Sequence, residues 1–409
     1  MSIRMCAFIL AAGAAASALA APNIQPGSVT LTQPPSGGTI RIDYVLEGGP
    51  AIVTCDILTN GVSIGAATLQ GLVGAVNRKV EPGSQEIAWK PWQTWTERDF
   101  DQMRATAVVT AWSLAAPPDY MVVDLKSGET RYYTCVEALP DGGVASDLYK
   151  TERMAFRKIP AGGVEWRMGS FTKENWDVKN EAAHLVTLAS DCYLAVYELT
   201  QKQYYYVMGS MPGCNYTAAD RDVHPVEKFN FFENRGWVLW NESGTVNRSV
   251  GDHGFFYQLR QRAGGGFDYP LEALWEFACR AGSGNNLYDN SYGYTNLENW
   301  EVSGRLKKIC AHKTGHTMPV GSYEPNAWGL YDMLGNVSEC CLDHYADDNT
   351  TVDPNKGPTW KGANLTMRGG AYDDEAYRLR TAYRVGDSWD GWVHRGLRVA
   401  CPVDALPTK

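Results

Sequence analysis

Short stretches of alternating apolar and polar residues characterise the first third of the chain. Residues 40–44, Ile-Arg-Ile-Asp-Tyr, place every second side chain on one face, which predicts a strand with one buried and one solvated side. The apolar run 51–58 leads to Asn60-Gly61, a dipeptide that favours a tight hairpin turn. Further strands are predicted at residues 105–112, 120–125 and 131–135.

The spacing of these strands predicts an all-β sandwich of the immunoglobulin or fibronectin type over residues 21–138. Residues 139–163 are dense in turn-forming and charged residues, a composition typical of a linker. The stretch 164–402 is long enough for one further domain. Residues 1–20 combine Arg4 with an apolar run and end in small residues, so we expect them to be a cleavable export signal.

Two helices are predicted in the second domain. Thr200 and Gln203 have the spacing of a capping box and open the first helix. The second helix is predicted to begin at Pro270, with an apolar face formed by Leu271, Leu274, Trp275 and Ala278. Glu272 and Glu276 are expected away from that face, and both helices are expected to be scaffold rather than site.

Composition and charge exclude several classes of partner. The chain has 37 Lys+Arg and 46 Asp+Glu, a formal charge of −9, and no basic block, so we expect no nucleic-acid partner. No stretch after residue 20 is long and apolar enough to span a bilayer, so we expect no membrane span. Together with the export signal, this favours a secreted, periplasmic or otherwise extracellular protein.

The cysteines add one further constraint. Of ten cysteines, Cys6 lies in the expected export signal, which leaves nine, so an odd number would reside outside the cytoplasm and at least one thiol would stay unpaired. Cys55 and Cys135 both fall in the predicted sandwich. The sequence leaves open whether they form a disulfide or remain buried thiols.

The second domain carries a series of motifs in a recognisable order, and it resembles the formylglycine-generating-enzyme (sulfatase-modifying factor) family. Each motif alone is a weak signal, but their order over residues 164–401 is specific. The motifs are Trp166-Arg-Met168-Gly169-Ser170, Tyr197-Glu198-Leu-Thr200, His224-Pro225-Val226, the helix from Tyr269 to Arg280, Pro319-Val320-Gly321 through Glu339, Arg368-Gly369-Gly370, and Arg380, Arg384, Gly396 and Arg398.

The resemblance implies an α+β, C-type-lectin-like fold with much irregular structure and bound calcium. Mapped onto this chain, the family's calcium loop would use the side chains of Asp332 and Glu339 and the backbone carbonyls of Gly335 and Val337. Oxygen ligands, two of them anionic, on a glycine-containing loop suit this ion. The alternative is a solvated turn, or one in which Arg384 or Arg398 neutralises Glu339.

The resemblance also implies copper chemistry, since formylglycine-generating enzymes oxidise a substrate cysteine using two cysteines that hold copper(I). The corresponding residues of this chain, 368–380, contain no cysteine; the two positions fall near Asp374 and Ala376. Soft thiolates cannot be replaced by carboxylates for this ion, so we expect no copper site. The adjacent Cys340 and Cys341 are expected to be structural, because neighbouring thiols point in different directions.

Three functions follow as alternatives, the last of which is a structural surface component held in an assembly through the sandwich. The first is a non-catalytic binding protein whose groove holds a polypeptide or carbohydrate ligand, with candidate contacts at Tyr372, Asp373, Asp374, Tyr383, Trp389 and Trp392. The second is a formylglycine-generating oxidoreductase that recruits thiols from elsewhere. His312 and His316 have metal-ligand spacing, but they lie in turn-rich sequence and are expected to form a surface loop. The sequence favours the first function.

Overall fold

The computed structural model describes most of the chain, and every structural statement below concerns those residues. They are residues 20–34, 38–95, 105–170, 179–228, 230–236, 250–288, 304–351, 353–355, 364–387 and 394–407. The expected export signal, apart from residue 20, and the groove candidates Trp389 and Trp392 lie outside them.

Two facing sheets form the N-terminal part. The first contains β1 (Asn23–Ile24), β2 (Thr30–Thr32), β3 (Ile40–Glu47), β6 (Leu72–Gly74) and β8 (Gly83–Trp89). The second contains β4 (Ala51–Thr59), β5 (Val62–Ser63), β7 (Arg78–Val80) and β9 (Ala105–Ser113). Side chains from both sheets, among them Ile42, Ile57 and Trp89, share one core. The all-β prediction for this region is confirmed.

Local sequence explains the strands of this region. Alternate residues of β3 are buried, as the pattern at residues 40–44 predicted. The turn between β4 and β5 places Asn60 at φ 52° and Gly61 at φ 80°, the left-handed conformation that a two-residue hairpin of this type requires. The hairpin prediction is therefore confirmed.

A second five-stranded sheet has the order β11-β10-β12-β15-β20. Its strands are β10 (Tyr120–Asp124), β11 (Thr130–Tyr133), β12 (Arg153–Ile159), β15 (Cys192–Ala195) and β20 (Ala400–Pro402). The strands predicted at 120–125 and 131–135 thus belong to this sheet and not to the sandwich. The expected linker 139–163 supplies its middle strand, β12. These strands come from segments that are far apart in the sequence, and the composition of a segment does not show which strand it pairs with.

The remaining strands form two smaller sheets. The hairpin-like pair is β13 (Glu165–Met168) with β14 (His184–Thr187). The other sheet has the order β18-β17-β16-β19, formed by β16 (Ser338–His344), β17 (Leu365–Arg368), β18 (Arg384–Asp387) and β19 (Arg395–Gly396). This last sheet contains four of the motif residues, Glu339, Arg368, Arg384 and Gly396.

The described helices are short. They are α1 (Pro91–Thr94), α2 (Leu148–Thr151), α3 (Gln201–Met208), α4 (Phe231–Arg235), α5 (Phe255–Ala263), α6 (Glu272–Arg280) and α7 (Leu306–Ile309). At α3 the Thr200 hydroxyl accepts from the Gln203 amide and the Gln203 side chain accepts from the Thr200 amide, which confirms the capping box. None of the described helices is long and apolar enough to cross a membrane.

Helix α6 corrects one expectation. It begins at Glu272 rather than Pro270, and both Glu272 and Glu276 are buried. The Arg384 guanidinium binds both oxygens of Glu272 at 2.6 and 2.8 Å, and Arg368 pairs with Glu276. A buried carboxylate needs such a partner. Helical periodicity placed both acids away from the apolar face and did not reveal their burial, because Arg368 and Arg384 come from β17 and β18.

The two parts of the chain touch directly. Ile52 of β4 packs in the same apolar cluster as Met121 of β10, and the Tyr132 amide of β11 donates to the Asn77 carbonyl at 2.7 Å. The sandwich therefore rests on the five-stranded sheet through both apolar contact and a backbone hydrogen bond.

Candidate functional site

The loop before β16 has the tight backbone that its glycine predicted. Asp332, Gly335 and Asn336 all have positive φ, of 56°, 73° and 58°. A Cβ at Gly335 would lie 2.2 Å from the Ala311 carbonyl oxygen, so only glycine fits there. The loop thereby brings Asp332, Val337 and Glu339 into one buried region.

Glu339 is fully engaged by neighbouring side chains. Its Oε1 accepts from Arg398 Nη2 at 2.7 Å and from Nε at 3.0 Å, and its Oε2 accepts from Trp275 Nε1 at 2.6 Å. Both members of the Glu339–Arg398 pair are buried. This is the neutralisation by Arg398 that the sequence left as an alternative to calcium. Arg384, the other arginine considered, binds Glu272 instead.

Glu198 completes this cluster, and the sequence analysis gave it no role. Its carboxylate accepts from the Asn336 side chain at 2.6 Å and from the Val337 amide at 3.1 Å. Burial, together with the nearby carboxylates of Asp332 and Glu339, raises the pKa of Glu198 well above its usual range. An acid inside the apolar run that precedes α3 was the signal available in the sequence.

The charges in this cluster do not balance. Three buried carboxylates, Glu198, Asp332 and Glu339, face the single guanidinium of Arg398. Asp332 Oδ2 accepts from the Gly321 amide at 2.6 Å, whereas its buried Oδ1 has no hydrogen-bond partner. Burial is the largest cause of the raised pKa of Asp332, about 6. An additional cation or a bound proton would relieve both features.

A calcium ion fits this loop in part. The unpartnered Asp332 Oδ1 and the surplus of negative charge suit a hard cation. Among the described residues, however, no three His, Cys, Asp or Glu side chains converge as a metal site, and Glu339 is already neutralised. The carbonyls of Gly335 and Val337 would therefore have to supply much of the coordination.

The groove candidates that the structure describes lie in one turn and its surroundings. Tyr372 is buried and is fixed by its backbone, whose amide donates to the Asn336 carbonyl at 3.0 Å. Asp374 caps the turn by accepting from the Ala371 amide at 2.9 Å and from Arg378 Nη1 at 3.1 Å. The turn is therefore attached directly to the loop around Asp332. Ala376, the other position expected for a cysteine, is buried.

Asp373 and Tyr383 have different environments. Asp373 is half-exposed, and its Oδ2 lies 3.0 Å from His394 Nε2. The His394 ring also meets Tyr372 edge-on, with ring centroids 4.9 Å apart. Tyr383 packs against Tyr377, and burial raises its pKa to about 12. The sequence did not identify His394, which lies between the motif residues Arg384 and Gly396 but is not itself part of a motif.

The cysteines that the structure describes form no disulfide with one another. Cys340 and Cys341 are adjacent on β16, and they enter two different apolar clusters because successive strand residues face opposite sides. Burial raises the pKa of both thiols well above the ordinary range. Cys55 lies in β4 and Cys135 lies just after β11, and the two form no disulfide with each other.

His312 and His316 do not act as a pair. His312 is buried, whereas His316 is exposed and its ring lies near Tyr216 and His224. His224 Nδ1 lies 3.2 Å from the Thr317 hydroxyl. His224 and His316 form an aromatic cluster with Tyr216, whose ring stacks on His224 with ring centroids 3.8 Å apart.

This α+β fold and its motif-bearing loops define the class of protein, and comparison with known families agrees. Residues 147–402 match the Sulfatase-modifying factor enzyme 1-like domain, and the chain belongs to this family. The match starts at residue 147, so α2 and β12 lie inside the family domain although the sequence had assigned them to a linker.

Individual relatives are similar over part of their length. The formylglycine-generating enzyme of Streptomyces coelicolor is 35% identical over 133 residues, which cover 30% of this chain and 42% of the relative. That of Mus musculus is 32% identical over 152 residues, 34% of this chain and 40% of the relative. The chain thus spans about two fifths of these relatives. The solved structure of PvdO from Pseudomonas aeruginosa is 21% identical with a TM-score of 0.47, covering 61% of this chain and 94% of its own.

Proposed function

We propose that this protein is an exported, non-catalytic member of the sulfatase-modifying factor family that binds a polypeptide or carbohydrate ligand. The observation that carries the proposal is the composition of residues 368–380, which hold no cysteine where the family places its copper ligands. Copper(I) requires soft donors, and Asp374 and Ala376 offer none.

The other thiols give further support. A cysteine binds copper(I) as its thiolate, and burial opposes thiolate formation at Cys340 and Cys341. The two sulfurs also enter different apolar clusters, so one ion could not reach both without rearrangement of β16. The alternative function, a formylglycine-generating oxidoreductase, would need such a rearrangement.

The ligand groove is proposed around the turn of residues 371–375. It presents the half-exposed Asp373 with His394, beside the aromatic ring of Tyr372. A planar aromatic group next to hydrogen-bonding side chains is a common arrangement for binding sugars and peptide side chains. Tyr383, Trp389 and Trp392 are proposed as further ligand contacts.

Calcium is proposed as a structural ion of the neighbouring loop. Asp332 would be its anionic ligand, the carbonyls of Gly335 and Val337 would supply further oxygens, and Glu339 would contribute charge beside Arg398. The support is the unpartnered Asp332 Oδ1. Because Asn336 links this loop to Tyr372, the ion would also stiffen the groove.

The copper-binding step separates the two functions. The purified protein is titrated into the copper(I)–bicinchoninate complex under argon, alongside a Cys340→Ser/Cys341→Ser variant as the matched control. We expect the two proteins to withdraw the same small amount of copper. One copper ion per chain withdrawn by the native protein and not by the variant would favour the oxidoreductase. Circular dichroism of both proteins checks that the variant is folded.

A further inference from the structure

Two neighbouring cavities lie outside the proposed groove. The larger, about 840 Å³, lies between the sandwich and the C-terminal domain, and Lys79 lines it from the sandwich side. Asp191 and Asp404 line it from the other side. Cavities between domains, several hundred Å³ in volume, are common places for small ligands.

The smaller cavity is lined mostly by apolar atoms and lies beside the first. It has a volume of about 80 Å³ and is lined largely by aliphatic side chains, including Leu188, Leu271, Leu274 and Leu342. Ala189 and Ser190 line both cavities. An engineered apolar cavity of about 150 Å³ accepts benzene, so this pocket suits a smaller, aliphatic group.

The charges of the larger cavity favour a cation. It has two carboxylates, Asp191 and Asp404, against one ammonium, and Lys79 Nζ already lies 3.5 Å from a Glu81 carboxylate oxygen. Asp191 is held in place on both sides, because its Oδ1 accepts from the Gly162 amide at 2.9 Å and its carbonyl accepts from the Val403 amide at 3.1 Å. A ligand ammonium would meet a carboxylate whose position is already fixed.

We propose that the two cavities form one binding site for a primary ammonium carried on a compact aliphatic group. The ammonium binds the Asp191 carboxylate, and the aliphatic group passes Ala189 to fill the apolar pocket. Both an alkylamine and a polypeptide with an aliphatic N-terminal residue have this chemistry. The site is separate from the groove around Tyr372 and does not depend on the function proposed for it.

The test compares two ligands of nearly the same shape. Leucinamide carries the ammonium, whereas 4-methylpentanamide replaces it with hydrogen. Binding of each to the full-length protein is measured by isothermal titration calorimetry and ligand-observed NMR. We expect leucinamide to bind at least tenfold more tightly. Equal affinity of the two compounds would overturn the proposal.

Three variants locate the site. Asp191→Asn keeps the oxygen that accepts from Gly162 and removes the charge, so we expect leucinamide affinity to fall at least tenfold. Ala189→Trp places bulk on an exposed residue where the cavities meet and should block binding without unfolding the chain. Asp252→Asn, on a highly exposed side chain, is the control and should bind as the native protein does. Unchanged affinity in Asp191→Asn would contradict the assignment.

The source of the ammonium is decided by two further ligands. Tighter binding of the peptide Leu-Gly-Gly than of 3-methylbutylamine would assign the site to a polypeptide N-terminus. The opposite order would assign it to a free amine. If neither compound bound in the millimolar range, the proposed chemistry would be wrong.

Discussion

Arg398 binds the Glu339 carboxylate on one side and backbone carbonyls at the end of β15 on the other. Its Nη2 and Nε bind the carboxylate at 2.7 and 3.0 Å, while Nη1 donates to the carbonyls of Ala195 and Val196 at 3.0 and 2.9 Å. The pair joins the sheet of β16 to that of β15. It also neutralises one of the three buried carboxylates, Glu198, Asp332 and Glu339, that lie near the proposed calcium site.

Replacing this arginine should be strongly destabilising. Arg398→Met leaves the buried Glu339 charge without its partner, which costs about 3–5 kcal/mol in comparable buried pairs. Arg41→Met removes an exposed arginine that pairs with Asp43 and should cost much less. Urea unfolding of both variants measures the difference. Similar small costs would mean that the buried pair is not needed for the fold.

The calcium proposal predicts that replacing Asp332 affects stability in opposite directions with chelator and with calcium. With chelator, the raised pKa of about 6 means that the folded protein binds this proton more tightly than the unfolded chain does. Its stabilising effect is present below about pH 4 and is lost as pH rises through 6. Asp332→Asn should therefore be no less stable than the native protein at pH 7.5 with chelator.

Adding calcium should reverse this order. The native protein should gain thermal stability by mass action in millimolar calcium, whereas Asp332→Asn should gain much less. Differential scanning fluorimetry with calcium, magnesium and chelator measures both responses. A melting temperature of the native protein that is the same with calcium and with chelator would count against the ion.

Asp343 provides a pH effect that does not involve calcium. It is buried, and its Oδ2 accepts from the Glu272 amide at the start of α6 at 2.5 Å. Burial, followed by the charge of Glu272, raises its pKa to about 8. The folded protein therefore loses stability as pH rises from about 4 to 8. Asp343→Asn should flatten the fall between pH 6 and 8 in urea unfolding.

A matched control for this effect is Asp348→Asn. Hydrogen bonds from Thr350 lower the pKa of Asp348, so this side chain stays ionised between pH 6 and 8. Its replacement should leave the slope in that window unchanged. An equal flattening in both variants would show that Asp343 does not cause the native slope.

How far the sequence predicted this structure depended on the distance between interacting residues. The capping box at Thr200 and the hairpin turn at Asn60 are local, and both were predicted correctly. The pairing of β10 with β12 and the ion pair that buries Glu272 against Arg384 depend on distant residues, and the local sequence patterns revealed neither.

The candidate site shows the same division. The motif order predicted a calcium loop that uses Asp332 and Glu339; the structure places Asp332 in the loop before β16 and Glu339 in β16 itself. Glu198 and His394 were not predicted as neighbours because they come from segments about 140 residues before and 60 residues after the loop. Only folding reveals that three buried carboxylates share one arginine.

The sheet topology predicts where the chain can be cut. A fragment of residues 116–407 retains β10, which pairs with β12, and β11, which pairs with β10 at the edge of the sheet. It should be folded and monomeric by circular dichroism and size-exclusion chromatography. A fragment of residues 140–407 exposes the edge of β12 and should aggregate or melt at a much lower temperature. Equal stability of the two fragments would contradict the importance of these strands.

The proposed non-catalytic role predicts that this protein does not oxidise a substrate cysteine. The direct measurement incubates the purified protein with a Cys-x-Pro-x-Arg peptide, copper(I) and oxygen, and follows the peptide by mass spectrometry. We predict that the cysteine mass remains and that no aldehyde forms above the level of a protein-free control. Aldehyde that forms with the native protein and disappears in the Cys340→Ser or Cys341→Ser variant would contradict the account.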